Sequence, residues 1–359
     1  MDQVAVFGIG STNFRYGVAV PNGDIVTDVT VEPTRPYDLE RQLVDAAADL
    51  TAAATEPLSG VAISCTGLVD RNRAQIDELD TTDGDTVDRI EAGRAIHEAH
   101  GLPVVVENDC NAAVLGEWQY GSRDDVDTLV HVTFGTGIGG GVVDDGRLVR
   151  GELAQAGEFG LLPVAPDSDV ESTGVTGAWE AFCSGRGIAR TVSRCIVTEE
   201  PETTLDTEVT AQDVFRAASE GDAFAQSCLD RVARYNAAGI GAICNALNPG
   251  LITVGGGVAM NNEHVVLDGI DRHLDDYLFV ERPEIRVSRL GDDMGTDRER
   301  TSRHGRLILS PRRDSRHWGD GVVRGRAIAS PRKRPVDVSP QERGRVRPGS
   351  ASGPSRRMR

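Results

Sequence analysis

Lysine is almost missing from this chain: Lys333 is the single one in 359 residues. Cysteine is sparse as well. The six thiols, Cys65, Cys110, Cys183, Cys195, Cys228 and Cys244, are scattered and form no Cys-x-x-Cys pair. That spacing excludes a disulfide framework and a clustered zinc site, and it fits reduced thiols in a cytosol. No apolar run approaches the length of a membrane helix. The first residues read Val4-Ala5-Val6-Phe7, a strand pattern, and not a charged region followed by an apolar one, so neither a leader nor a membrane span is expected. The length accommodates a large core divided between two domains.

Charge is plentiful but of one sign until the chain nears its end. The whole sequence holds 38 Lys+Arg against 56 Asp+Glu, a net of -18. From Gly295 to Arg359 there are 18 basic and 6 acidic residues, which leaves 20 basic against 50 acidic for Met1 to Met294. An acidic body nearly free of lysine suits a salt-rich cytoplasm, where self-repulsion is screened and carboxylates hold water at the surface; a halophilic source is expected. Such a body is a poor match for phosphate backbones, so nucleic-acid binding is not expected.

One stretch joins a strand to chemistry. Val104, Val105 and Val106 read as a buried strand, and Ala112 to Leu115 favour a helix. Glu107, Asn108 and Asp109 therefore fall at a strand's carboxyl end beside a helix start, where open α/β sheets bind ligands. Asp109 there is a candidate general base, with Asn108 orienting the hydroxyl it deprotonates. The plainer reading makes Asp109 the helix N-cap.

The rest of the chain supplies a repeat. Strand Val4–Phe7, the turn Gly8-Ile9-Gly10-Ser11-Thr12-Asn13 and strand Phe14–Val20 form a glycine-bearing hairpin. Ile25 to Val31 reads as a third strand, Leu39–Ala54 as a helix and Gly60–Ser64 as a strand; the acidic stretch Asp77–Asp88 reads as a loop and Ile90–His100 as a helix. Strand Thr128–Phe134, the run Gly135-Thr136-Gly137-Ile138-Gly139-Gly140-Gly141 and strand Val142-Val143 repeat the hairpin. Backbone N–H groups in such turns can hold phosphate. Neither turn is a Walker A loop or a Rossmann fingerprint, since a strand follows each. Helices are expected over Trp179–Ser193, Ala211–Glu220 and Ala223–Leu247. Strand Leu251–Val254 then runs through Gly255-Gly256-Gly257 into a short helix, a junction that admits a base or a phosphate.

In this order the segments resemble the ROK family of sugar kinases and sugar-responsive repressors, members of the actin-like ATPase superfamily. The likeness runs from about Val4 to about Asp293. It implies an α/β fold of two actin-like (ribonuclease H-like) domains, 1–120 and 121–294, around a central cleft. By resemblance, Gly10, Ser11 and Thr12 match the first phosphate loop, Gly135, Thr136 and Gly137 the second, and Gly255, Gly256 and Gly257 the adenosine loop. Asn108 matches a sugar-binding residue and Asp109 the catalytic aspartate; Glu158 and Glu180 match two sugar-binding glutamates. The implied reaction is ATP-dependent phosphorylation of a hexose, most simply glucose, with Mg²⁺; an amino-sugar or fructose kinase, or a weak or inactive sugar-binding member, is the alternative. A homodimer acting on a small-molecule sugar and a nucleotide is expected.

Three departures stand beside the likeness. Gly8 replaces an aspartate that helps organise Mg²⁺ in active members. Leu161 replaces a histidine that touches sugar and zinc. Glu171-Ser172-Thr173-Gly174-Val175-Thr176-Gly177-Ala178 replaces a cysteine-rich zinc loop, so no metal site and no zinc are expected. Repressor members carry an N-terminal helix-turn-helix, whereas the sequence here opens on a strand. Beyond Gly291-Asp292-Asp293 the family pattern stops, and residues 295–359 turn to Arg, Pro, Ser and Gly. That composition reads as a disordered basic tail and is taken as a frame-shifted end in preference to a basic arm.

Overall fold

The computed structural model describes residues 2–82, 85–122, 126–288 and 290. The basic tail 295–359, and with it the frame-shift expectation, lies outside the described residues. No described helix is long and apolar enough to cross a membrane.

The first half runs β1 (Gln3–Ile9), β2 (Asn13–Ala19), β3 (Thr30–Pro33), α1 (Leu39–Ala53), β4 (Leu58–Cys65), β5 (Leu68–Asp70), β6 (Gln75–Asp80), β7 (Thr86–Ile90), α2 (Ala92–His100), β8 (Val104–Asn108) and α3 (Asp109–Gly116). The second runs β9 (Thr128–Phe134), β10 (Ile138–Asp144), β11 (Arg147–Leu148), β12 (Glu171–Ser172), β13 (Val175–Thr176), α4 (Glu180–Cys183), α5 (Gly185–Glu199), α6 (Ala211–Ser219), α7 (Ala223–Leu247), β14 (Leu251–Gly255), α8 (Gly257–Asn261), α9 (Glu263–His273) and β15 (Glu284–Val287).

Two five-stranded sheets share one plan. Their orders are β3-β2-β1-β4-β8 and β11-β10-β9-β14-β15. In each, three antiparallel strands are followed by two parallel ones. The glycine hairpins are therefore the same corner of two like sheets. Each sheet has its own apolar core. Phe7, Phe14 and Ile63 pack with α1 and α2 in the first. Phe134, Trp179 and Ile252 pack with the second half's helices in the other. Burial at 0% exposure of side chains of this size stabilises by roughly 1.5–3 kcal/mol each.

Three expectations need correction. Of the expected third strand only Thr30 and Val31 pair along the ladder, which then continues through Pro33. Before it the chain makes a single bridge, Ala19 to Ile25, because the Thr27 hydroxyl accepts the Val18 N–H at 3.0 Å in place of a carbonyl. The acidic stretch 77–88 is not a loop. Ile76 and Leu79 are buried while Glu78, Asp80 and Asp88 are exposed, and β6 pairs antiparallel with β7. The helix expected over Trp179–Ser193 is broken at Ser184, whose hydroxyl accepts the Gly187 N–H at 3.0 Å and caps α5.

Beneath the second hairpin lies a histidine with no solvent. His131 is buried on β9, its ring nitrogens 3.0 Å from the Thr253 hydroxyl and 3.1 Å from the Thr133 hydroxyl. Burial pushes its pKa down to about 4. An unfolded chain takes up this proton near pH 6.5 and the folded one only near 4, so stability falls as pH falls through that window. His131→Gln is expected to remove about 3 kcal/mol of that acid dependence. Urea unfolding of both proteins at pH 7 and pH 4.5 checks it; equal pH slopes would contradict the assignment.

Candidate active site

The strand ends bring the first set of residues together. Ile9, Cys65 and Asn108 are neighbours across β1, β4 and β8. Gly10, Thr66 and Asp109 therefore follow one another along a single carboxyl edge. The first turn is pinned there: Gly10 N–H donates to Asn13 O at 2.9 Å, Thr66 N–H to Ile9 O at 3.0 Å, and the Thr34 hydroxyl to Gly10 O at 2.7 Å. Gly8 sits inside the ladder opposite Arg15, so this hairpin presents no carboxylate at that position.

At the junction the helix cap is Asn108 and not Asp109, which corrects the plainer reading. Asn108 Oδ1 accepts the N–H groups of Cys110 at 2.9 Å and Asn111 at 3.2 Å, while its Nδ2 donates to Gly67 O at 3.3 Å. Asn108 is thereby held by three bonds. Asp109 is freed from capping and keeps local bonds, Oδ1 accepting the Cys110 N–H at 2.9 Å and the carboxylate also bonding the Cys110 thiol. Burial raises its pKa above the ordinary aspartate range.

The second sheet supplies the facing groups. Gly135 and Gly255 lie at the carboxyl ends of the neighbouring parallel strands β9 and β14. Gly135 O accepts the Gly185 N–H at 2.8 Å, which fixes the turn to the start of α5. Gly256 has φ +81°, and a Cβ there would lie 2.5 Å from Phe134 O, so only glycine lets the third loop close onto the second. Among the described residues the backbone N–H groups of Ser11, Thr12, Thr136 and Gly137 donate to no protein acceptor. Donors left in this way at two turns suit an anion.

The halves meet at α3. A Cβ on Gly139 of β10 would lie 2.5 Å from Cys110 Sγ, and one on Gly141 would lie 2.7 Å from Val114. The amino end of α3, with Asp109, thus packs directly on the second hairpin. Two carboxylates join it. Glu180 Oε2 accepts the Ile138 N–H at 3.0 Å and Oε1 accepts the Ser172 hydroxyl at 2.6 Å. Glu158, although it exposes much of its surface, has its pKa raised by partial burial and then by the charges of Glu180 and Asp109. Glu180 and Asp109 thus both lie near enough to Glu158 to act on its charge. Leu161 is packed against the second core and offers no polar atom.

Two features escaped the sequence. Ser172 had no signal, since it matters only after 171–176 folds into a hairpin. Glu107 was visible beside Asp109, but its partner was not. Glu107 is buried, and its Oε2 takes Arg150 Nε at 3.1 Å and Nη2 at 2.9 Å, with Arg71 at 3.8 Å. The pair joins β8 of the first half to the chain beyond β11 of the second. It also starts the loop that carries Glu158, because the Ala156 N–H closes on Arg150 O at 3.0 Å.

A ROK family model matches residues 5–297. The chain belongs to the ROK family. A glucokinase of Halalkalibacterium halodurans is 38% identical over 210 residues, 56% of this chain and 63% of that protein. A β-glucoside kinase of Listeria innocua is 34% identical over 163 residues, 45% of this chain and 53% of that one. The matches thus span just over half to under two thirds of these relatives' lengths. A ROK family glucokinase from Streptomyces griseus, solved with glucose and AMPPNP, superposes with a TM-score of 0.65 at 28% identity; the match covers 80% of this chain and 95% of that one. The fold is accordingly the actin-like one of ROK kinases.

Removing the Arg150 guanidinium strands a buried carboxylate with a distant partner. Arg150→Ala is expected to cost about 2–4 kcal/mol in denaturant unfolding, and Glu107→Gln combined with Arg150→Met to recover most of it. A loss below about 0.5 kcal/mol in the single variant would show the pair to be no more than a surface contact.

Proposed function

We propose that the protein transfers the γ-phosphoryl group of ATP to a hydroxyl of a hexose, glucose first among them. The observation that supports this reading is the place of Asp109 on the end of α3 that packs against the second glycine hairpin, whose Ile138 N–H binds Glu180. In this reading the two sheets are the cores of two actin-like domains divided near residue 120, and the nucleotide lies against Gly10, Ser11 and Thr12 on one side and Gly135, Thr136 and Gly137 on the other. Gly255, Gly256 and Gly257 take the adenosine. An acidic, lysine-poor body working in a salt-rich cytoplasm belongs to the same reading.

The chemistry follows from the environments. Asp109 accepts the proton of the attacking sugar hydroxyl. The hydroxyl oxygen forms a bond to the γ-phosphorus as the bond from that phosphorus to the β–γ bridging oxygen breaks, and ADP leaves with the electron pair. A carboxylate with a raised pKa is a stronger base than an exposed one, which suits this proton transfer. Glu158 and Glu180 accept hydroxyl protons and fix the ring, and positioning supplies much of the rate. In this reading three carboxylates act on one sugar, which favours a neutral polyol and repels anionic sugars. The first hairpin gives a cation no carboxylate, and among the described residues no three acidic, His or Cys side chains lie close enough together to hold one. The residues thus do not fit a protein-held Mg²⁺, and a divalent ion would arrive on the nucleotide's own phosphates.

Gly8 is also the observation that favours a second reading, a sugar-binding member with little turnover. An ADP-release assay in concentrated KCl with Mg-ATP separates them. Glucose is expected to give the highest kcat/KM among glucose, glucosamine, fructose, N-acetylmannosamine and a β-glucoside. Asp109→Asn is expected to lower kcat roughly 10²–10⁴-fold. The acidic limb of the wild-type profile is expected above the ordinary aspartate range. A folded pKa above the unfolded one means stability is lost as pH rises through it, so Asp109→Asn is also expected to melt higher at neutral pH. Undiminished turnover in that variant would remove Asp109 from the reaction.

A further inference from the structure

We propose that Ser172 is a positioning residue for Glu180: its hydroxyl holds one carboxylate oxygen so that the other lone pairs stay turned to the sugar. The proposal rests on the sugar-binding role given to Glu180 above. Both oxygens of Glu180 are engaged, Oε2 by the Ile138 N–H at 3.0 Å and Oε1 by the Ser172 hydroxyl at 2.6 Å. An ionised carboxylate has about four lone-pair sites, so two remain for hydroxyl protons of a ligand. The terminal torsion of a glutamate is broad and roughly two-fold. The Ile138 N–H alone leaves the carboxylate free to pivot about Oε2, and the second donor stops that pivot.

The fold goes to some length to deliver this hydroxyl. Ser172 ends β12, and the hairpin to β13 turns through Thr173 at φ 50° and Gly174 at φ 75°. Two successive positive φ values make the two-residue turn whose twist matches paired strands. The base of the hairpin is closed by the Gly177 N–H on Val170 O at 2.7 Å and the Ala165 N–H on Gly177 O at 3.2 Å. Arg190 of α5 then clamps both sides of the contact. Its Nη2 donates to Glu171 O at 2.8 Å, beside Ser172, and to Ala181 O at 3.4 Å, beside Glu180. One guanidinium therefore sets the spacing between donor and acceptor. The same carboxylate ends on the backbone of the second glycine turn, so the hairpin 171–176, the sugar carboxylate and that turn form one chain of hydrogen bonds.

Ser172→Ala, Ser172→Thr and wild type are compared by steady-state kinetics with glucose and Mg-ATP, by calorimetric titration with glucose, and by thermal melting. Loss of a hydrogen bond to a charged group predicts a rise of about tenfold in glucose KM and Kd for Ser172→Ala. Its kcat, its KM for ATP and its melting temperature are expected to stay at wild-type values, and Ser172→Thr, which keeps the hydroxyl, to restore the sugar affinity. Glucose KM and Kd unchanged in Ser172→Ala would overturn the proposal. So would a lowered melting temperature with both KM values raised together, which marks a merely structural role. A wild type that binds glucose without turnover defeats the kinase reading while the titration still judges Ser172. A wild type that binds no hexose defeats both.

Discussion

A carboxylate is a stronger base where desolvation raises its pKa and no cation neutralises it, and the β8–α3 junction favours both for Asp109 by dividing the work among adjacent residues. Glu107 points into the protein and takes the cations, Arg150 closely and Arg71 at longer range. Asn108 takes the capping bonds. Asp109 is left with local bonds to Cys110 and a desolvated carboxyl group. Had Asp109 been the cap or the ion-pair partner, its pKa would be held down and its lone pairs spent. The proposed chemistry depends on this partition.

The same partition binds the two halves of the chain. Arg150 enters from the second half, and the loop it begins carries Glu158. On the other side Gly139 and Gly141 let β10 lie directly on α3. Side chains at either glycine would lift the second hairpin from the helix that bears Asp109. Packing and electrostatics thus converge on one short helix, whose amphipathicity is slight because both faces are occupied.

Much of the fold was legible because it is local. The glycine turns, the valines before Glu107 and the alanine-rich α7 each declare themselves within a few residues, and the repeated strand–turn–strand pattern anticipated two sheets of one plan. Errors arose where a side chain replaced backbone. The Thr27 hydroxyl took a ladder bond and shortened β3, the Ser184 hydroxyl split a helix, and outward carboxylates disguised the β6–β7 hairpin as a loop. At the site, Asp109 was legible from its place between a strand and a helix, whereas Glu158 and Glu180 were named through family likeness, since they stand 22 positions apart and nothing in spacing alone joins them. Arg150 and Ser172 were invisible because each works across a tertiary contact.

In the proposed reaction a hexose hydroxyl rests against Asp109 while a triphosphate lies between the Gly10 and Gly137 turns. A crystal structure of the full chain grown from concentrated KCl with glucose and AMPPNP tests it most directly. The expected structure has a glucose hydroxyl within hydrogen-bond reach of Asp109 Oδ2, other hydroxyls on Glu158 and Glu180, and phosphate oxygens on the backbone N–H groups of both turns. Glucose bound away from Asp109, or phosphates held at neither turn, would contradict it.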